Sequence, residues 1–132
     1  MKDDSQKDTV ILSGVSKPIL ANQPLTSCIT IQNNAGMDLE IIALTFRYKE
    51  GLENCLIDIQ TPNQKNDPIV LGECCLGGIG SSYKNPSYAR FHIPGKKPVI
   101  STGQSLVVNV RTYGQAIEAR DINLLIDGQA LK

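Results

Sequence analysis

The stretch Leu25-Thr26-Ser27-Cys28-Ile29-Thr30-Ile31-Gln32, followed by Asn33-Asn34-Ala35-Gly36 and then Leu39-Glu40-Ile41-Ile42-Ala43-Leu44-Thr45-Phe46-Arg47-Tyr48, decides the fold class. In its first part Leu25, Ile29 and Ile31 share one side of a period-two pattern, which predicts a half-buried strand with Cys28 on the less buried face. Asn33 to Gly36 are residues that tolerate the backbone angles of a tight turn, so a hairpin is expected there. In the second strand Ile42, Leu44, Phe46 and Tyr48 form the expected core face. Ile41 and Ala43 give its other side some cover, which suits a central strand.

Working outward, further strands are expected at Thr9 to Val15, Cys55 to Gln60, Pro68 to Leu71, Tyr88 to Ile93, Ser105 to Thr112 and Asp121 to Asp127. That makes about seven or eight strands punctuated by Gly, Pro and Asn. Each proline falls between strands or at a strand's first residue, where its missing N–H costs no ladder bond. Helix formation is confined to a weak candidate at Gly114 to Asn123, whose apolar residues make no continuous stripe. The reading is therefore all-β: a Greek-key β-sandwich, immunoglobulin-like or jelly-roll, with little helix. A polar arm spans residues 1–8 and a single domain spans 9–132.

Of the 132 residues, 41% are hydrophobic and 20% charged, which places the chain among ordinary globular domains. Thirteen basic residues balance thirteen acidic ones, so no overall field draws the chain to phosphate backbones or anionic lipid. Nucleic acid is not expected as a partner. The longest apolar runs, such as Ile41 to Leu44, fall far short of the roughly twenty residues of a spanning helix, so no membrane span is expected. Met1 to Asp8 is too polar for a secretory signal, so synthesis in a cytoplasm without a signal peptide is expected.

Cys28, Cys55, Cys74 and Cys75 lack the paired spacing of a structural zinc site and are read as reduced thiols, with no metal and no cofactor expected. The inner face of Cys55, Ile57 and Ile59 suits that reading. His92 is the single histidine, so any triad chemistry would need it as base. No G-x-S-x-G elbow, H-E-x-x-H helix, Walker loop or EF-hand spacing accompanies it. An enzyme is not expected.

The function expected is that of a non-catalytic structural or assembly protein, acting by self-association or within a larger assembly such as a virion or phage surface (capsid, decoration or tail). The expected contact combines Ile11 and Val70, on the uncharged segments Thr9 to Val15 and Pro68 to Leu71, with Gly77, Gly78, Gly80 and Tyr83 of a Gly72 to Ser87 loop. The alternative is a ligand- or carbohydrate-binding module using Tyr83, Tyr88, Arg90 and His92. A small enzyme using His92 ranks third.

Overall fold

The computed structural model describes residues 9–62, 69–78, 81–82 and 85–131. The polar arm 1–8 lies outside the described residues. Within them the strands are β1 (Thr9–Val15), β2 (Thr26–Gln32), β3 (Leu39–Tyr48), β4 (Leu56–Gln60), β5 (Ile69–Cys75), β6 (Ser81–Ser82), β7 (Asn85–His92), β8 (Val99–Ile100), β9 (Ser105–Arg111) and β10 (Ile122–Ala130), with one 3-10 turn at Leu76–Gly78. Two antiparallel sheets face each other. One runs β1-β10-β3-β7-β6, with β8 also paired to β3, and the other runs β2-β9-β4-β5.

The topology follows from four of the pairings. β1 pairs β10, β2 pairs β9, β3 pairs β7 and β4 pairs β5, all antiparallel. The first half of the chain is thus zipped to the second half in reverse order, and this long double strand is rolled until β10 meets β3 and β9 meets β4. A double strand rolled into two facing sheets in this way is a jelly roll. It settles the choice left open between the two sandwich types.

The hairpin expected at Asn33 to Gly36 is not formed, because β2 and β3 belong to different sheets. The segment crosses the end of the sandwich, and Asn33 is its corner. The Asn33 side chain, fully buried, donates to the carbonyls of Ile100 and Met37, each at 2.9 Å, and accepts from Ala35 N–H at 3.0 Å. Its backbone is pinned to the other crossing loop by Asn33 N–H to Gln104 O at 2.8 Å and Gly103 N–H to Asn33 O at 2.9 Å. A turn-former serves here as a buried bracket, which residue type alone does not distinguish from a hairpin tip.

Two β-bulges correct the expected faces, since one extra residue reverses which side chains point inward. In β2 the register slips between Ser27 and Ile29, so Cys28 turns inward and is buried beside Ile29. In β3 the register against β10 slips at Asp127/Gly128, passing over Ile42. Ile41 then joins the core and Ile42 is only half-buried. The same bulge is answered on the far side of β3, where Ile93 N–H donates to Ile42 O and Ile41 N–H to Pro98 O. Residues 93–98 loop out there, turned by Gly95 at φ 66, and the Lys97 ammonium caps the carbonyl of Ile93. β7 and β8 are one interrupted strand.

Elsewhere period two holds. Leu106, Val108 and Val110 of β9, Ile122, Leu124 and Ile126 of β10, and Ile57 and Ile59 of β4 enclose Phe46 and Leu44 between the sheets. Cys55 is buried with them, as expected, while Leu12 and Phe91 pack against the cluster from partly buried positions. Gly14 is required where β1 passes over β2: a Cβ there would come within 2.6 Å of Ile31 Cγ1 and 2.9 Å of Ile29 Cγ2. The Gly114 to Asn123 segment holds no helix; its Ile117 is buried and bridged to Ile19 across the sandwich end.

Candidate functional site

The outer face of the first sheet is built in rows across three or four strands. Asp127 of β10 lies between Ile11 and Ala43, and Ala43 faces His92. The next row is Ser13, Leu125, Thr45 and Arg90. Alternation puts His92 and Arg90 on this solvent face, as expected, together with the backbone position of Tyr88 opposite Arg47. A carboxylate that no reading of β7 alone could supply comes from β10. The Arg90 guanidinium donates to Asp127 Oδ2 at 2.5 Å, to Thr45 Oγ1 at 2.7 Å and, through Nε, to His92 Nε2 at 3.3 Å. Arg90 is thereby committed to clipping β7, β3 and β10 together. Among the described residues no three His, Cys, Asp or Glu side chains converge as metal ligands, and no helix is long and apolar enough to cross a membrane.

At one end of this face the surface turns apolar. Ile11, Val15 and Leu125 are 54%, 47% and 40% exposed, grouped around Ser13 at the edge of the sheet. Ser16 N–H donates to Ile122 O at 2.8 Å in the register of the β1–β10 ladder. That fixes the phase: Val10, Leu12 and Gly14 turn their backbone groups toward β10, and Ile11, Ser13 and Val15 turn theirs to the open edge. β1 has no charged residue, no proline and no bulge, the devices that usually protect an edge. Among the described residues no strand pairs with that edge.

The other expected edge is built differently. β5 extends through Cys75, so the presumed loop is largely regular structure, and it carries Glu73, 3.5 Å from the Arg111 guanidinium. Its pairing with β4 is broken by two register shifts. Those irregularities place Val70 half-buried against the core and leave Ile69 as the exposed side chain, correcting the expectation for Val70. Gly77 is also inward-looking: its N–H donates to Glu53 O at 2.9 Å, and a Cβ would press on Glu53 at 2.9 Å. Gly78 is exposed at the end of the 3-10 turn. Gly80 and Tyr83 lie outside the described residues, as do the side-chain surroundings of Tyr88.

The four thiols are unpaired. Burial pushes the Cys28 thiol up to about 11, against a weaker downward pull from the Lys17 backbone and charge. Burial likewise raises Cys55, with Glu53 adding to it, and raises Cys74, with Cys75 adding to it. None of these three has the depressed pKa of a reactive nucleophile. Cys75 is exposed.

A third surface escaped the sequence reading. Where β9 ends, Thr112 is buried and clamps the 16–25 connection: its hydroxyl donates to Leu20 O at 2.6 Å and accepts from Gln23 N–H at 2.9 Å. Asn22, held at φ 59, donates its N–H to Tyr113 O at 2.7 Å. Tyr113 is thus fixed through its backbone while its side chain stays 48% exposed. Two open clefts meet on it. One, of about 310 Å³, is lined by Gly51, Asn54, Cys55, Gly114 and Gln115. The other, of about 270 Å³, is lined by Asn22, Gln23, Pro24, Arg111 and Thr112. The only signal in the sequence was an aromatic residue directly after a strand and before a glycine.

Compared with protein-family models, with curated proteins and with solved structures, the chain matches none. The functional reading rests on geometry.

Proposed function

We propose that this protein is a non-catalytic association module, a structural subunit that pairs the β1 edge of one copy with the β1 edge of a second. One observation carries the reading: an edge strand with no charged residue, its backbone groups turned outward at Ile11, Ser13 and Val15, and exposed apolar side chains at Ile11 and Val15. Those positions are symmetric about Ser13. In an antiparallel pairing across a two-fold axis, Ser13 meets Ser13 of the other copy, and Ile11 of each lies beside Val15 of the other. The contact is self-complementary, as a two-fold interface must be. No like charges oppose each other in it. Leu125 widens the apolar strip on each side, toward the roughly 1,000 Å² that a specific interface needs. The larger assembly expected from the sequence, such as a particle surface, would be built on this contact.

Sedimentation velocity over a concentration series tests the proposal. A dimer or higher species is expected, reduced to monomer by Ile11→Lys or Val15→Lys with the thermal transition nearly unchanged, since both side chains already face water. In a Cys75→Ser background, Ser13→Cys should form a covalent dimer under mild oxidation, and Ser105→Cys should not. A chain that stays monomeric at millimolar concentration, with no Ser13→Cys cross-link, would refute the proposal.

A further inference from the structure

We infer that Tyr113 is the platform of a binding site for a neutral saccharide, distinct from the β1 edge and not dependent on it. A sugar ring offers a flat C–H face and a rim of hydroxyls. It is held by an aromatic ring on the first and by amide groups, each both donor and acceptor, on the second. Both are present here. The Tyr113 ring stands exposed between two clefts, with Asn54 and Gln115 lining one and Asn22 and Gln23 the other. The arrangement is built before any ligand arrives, because Asn22 N–H, Thr112 and the 16–25 connection hold the Tyr113 backbone in place. Such pre-ordering removes part of the entropic cost of binding.

A wall of the first cleft is also fixed. Gly51, at φ 105, lets the Gln115 side-chain amide lie where a Cβ would stand, 2.7 Å from Gln115 Oε1. Any other residue at position 51 would displace that amide. Among the residues that line the two clefts Arg111 alone carries a charge, and it lies 3.5 Å from Glu73. The lining itself thus leaves no unpaired charge to select an acidic or basic ligand. Hence the ligand class is neutral, and the surface shares no residue with the Tyr83, Tyr88, Arg90 and His92 group expected from sequence.

The test is a titration of the ¹⁵N-labelled full chain with maltotriose, cellotriose, mannotriose, galactobiose and chitotriose, each up to about 50 mM, a range that detects the millimolar affinities of single shallow sites. At least one should shift the amides of Tyr113, Gly114 and Gln115 together with those of Asn22 or Asn54. Tyr113→Ala should weaken that sugar about tenfold or more, Tyr113→Phe should keep it, and Gly51→Ala should weaken it by moving the Gln115 amide. Ile11→Lys, which blocks edge pairing, should leave it unchanged, so loss of association and loss of sugar binding are read separately. The inference is overturned if none of the five sugars shifts those amides, or if the binding seen survives Tyr113→Ala in a variant whose spectrum is otherwise that of the folded chain.

Discussion

Replacing Asn33 by Ala should be among the most damaging single polar changes in this chain, and its neighbour provides the control. Asn33 is fully buried and Asn34 exposed, so the same substitution at adjacent positions separates the bracket from the residue type. Asn33→Ala removes two donors and one acceptor. The carbonyl of Ile100, on a fully buried residue, is left without that donor, at about 1–3 kcal/mol, and the contacts to Met37 O and Ala35 N–H, in part-buried surroundings, are worth about 0.5–1.5 kcal/mol each. The loss should total roughly 2–6 kcal/mol, against less than about 0.5 kcal/mol for Asn34→Ala. Asn33→Asp should do no better, because a carboxylate keeps the bond from Ala35 but turns acceptors toward two carbonyls. The chain has no tryptophan, so urea denaturation followed by far-ultraviolet circular dichroism is the appropriate assay, with an unchanged slope expected for all three variants. Asn33→Ala within about 1 kcal/mol of Asn34→Ala would show that the corner is held by the backbone contacts alone, and would refute the reasoning.

Gly14→Ala should cost about 1–3 kcal/mol because β1 must lift from Ile29 and Ile31, while Gly72→Ala, with open space around it, should be close to neutral; equal effects in thermal denaturation would remove the close-packing argument. Stability should fall as pH rises from about 9 to about 11, because the raised Cys28 pKa keeps the folded state protonated after the unfolded chain has lost its proton; Cys28→Ala should flatten that part of the curve. In the native state one thiol, Cys75, should react quickly with Ellman's reagent and Cys28 slowest, with four equivalents released on unfolding without reductant. Two equivalents after unfolding would reveal a disulfide.

Strand identity was legible wherever alternation ran unbroken, as in β9 and β10, because a half-buried strand writes its two faces directly into residue order. It failed at single residues. Cys28 and Ile42 sit at bulges, and a bulge is set by the partner strand's register, which the strand's own sequence does not carry. The turn-formers Asn33 to Gly36 were legible as a chain reversal but not as a crossing between sheets, since that depends on what β2 and β3 each find to pair with. At the surface, the uncharged edge β1 and its exposed Ile11 could be read from local sequence. The Arg90 network was read only in part, because Asp127 lies on a strand brought alongside by the roll. Tyr113 and its clefts combine three connections far apart in the chain, so no local pattern announces them.

Loop entropy also favours an order of pairing along the rolled double strand. Closing a loop costs more entropy the more chain it contains, so of the four pairs that make up the double strand β4 and β5, nearest in sequence, are the cheapest to bring together. Each pairing then shortens the loop for the next: β3 with β7, β2 with β9 and last β1 with β10, whose partners Thr9 and Gln129 lie almost a chain length apart. On that order the β1 edge takes its place last, when β1 joins β10 in the first sheet. A chain that has not finished folding therefore has no such edge to offer, and assembly through β1 would admit completed subunits alone, a quality control that needs no separate checkpoint.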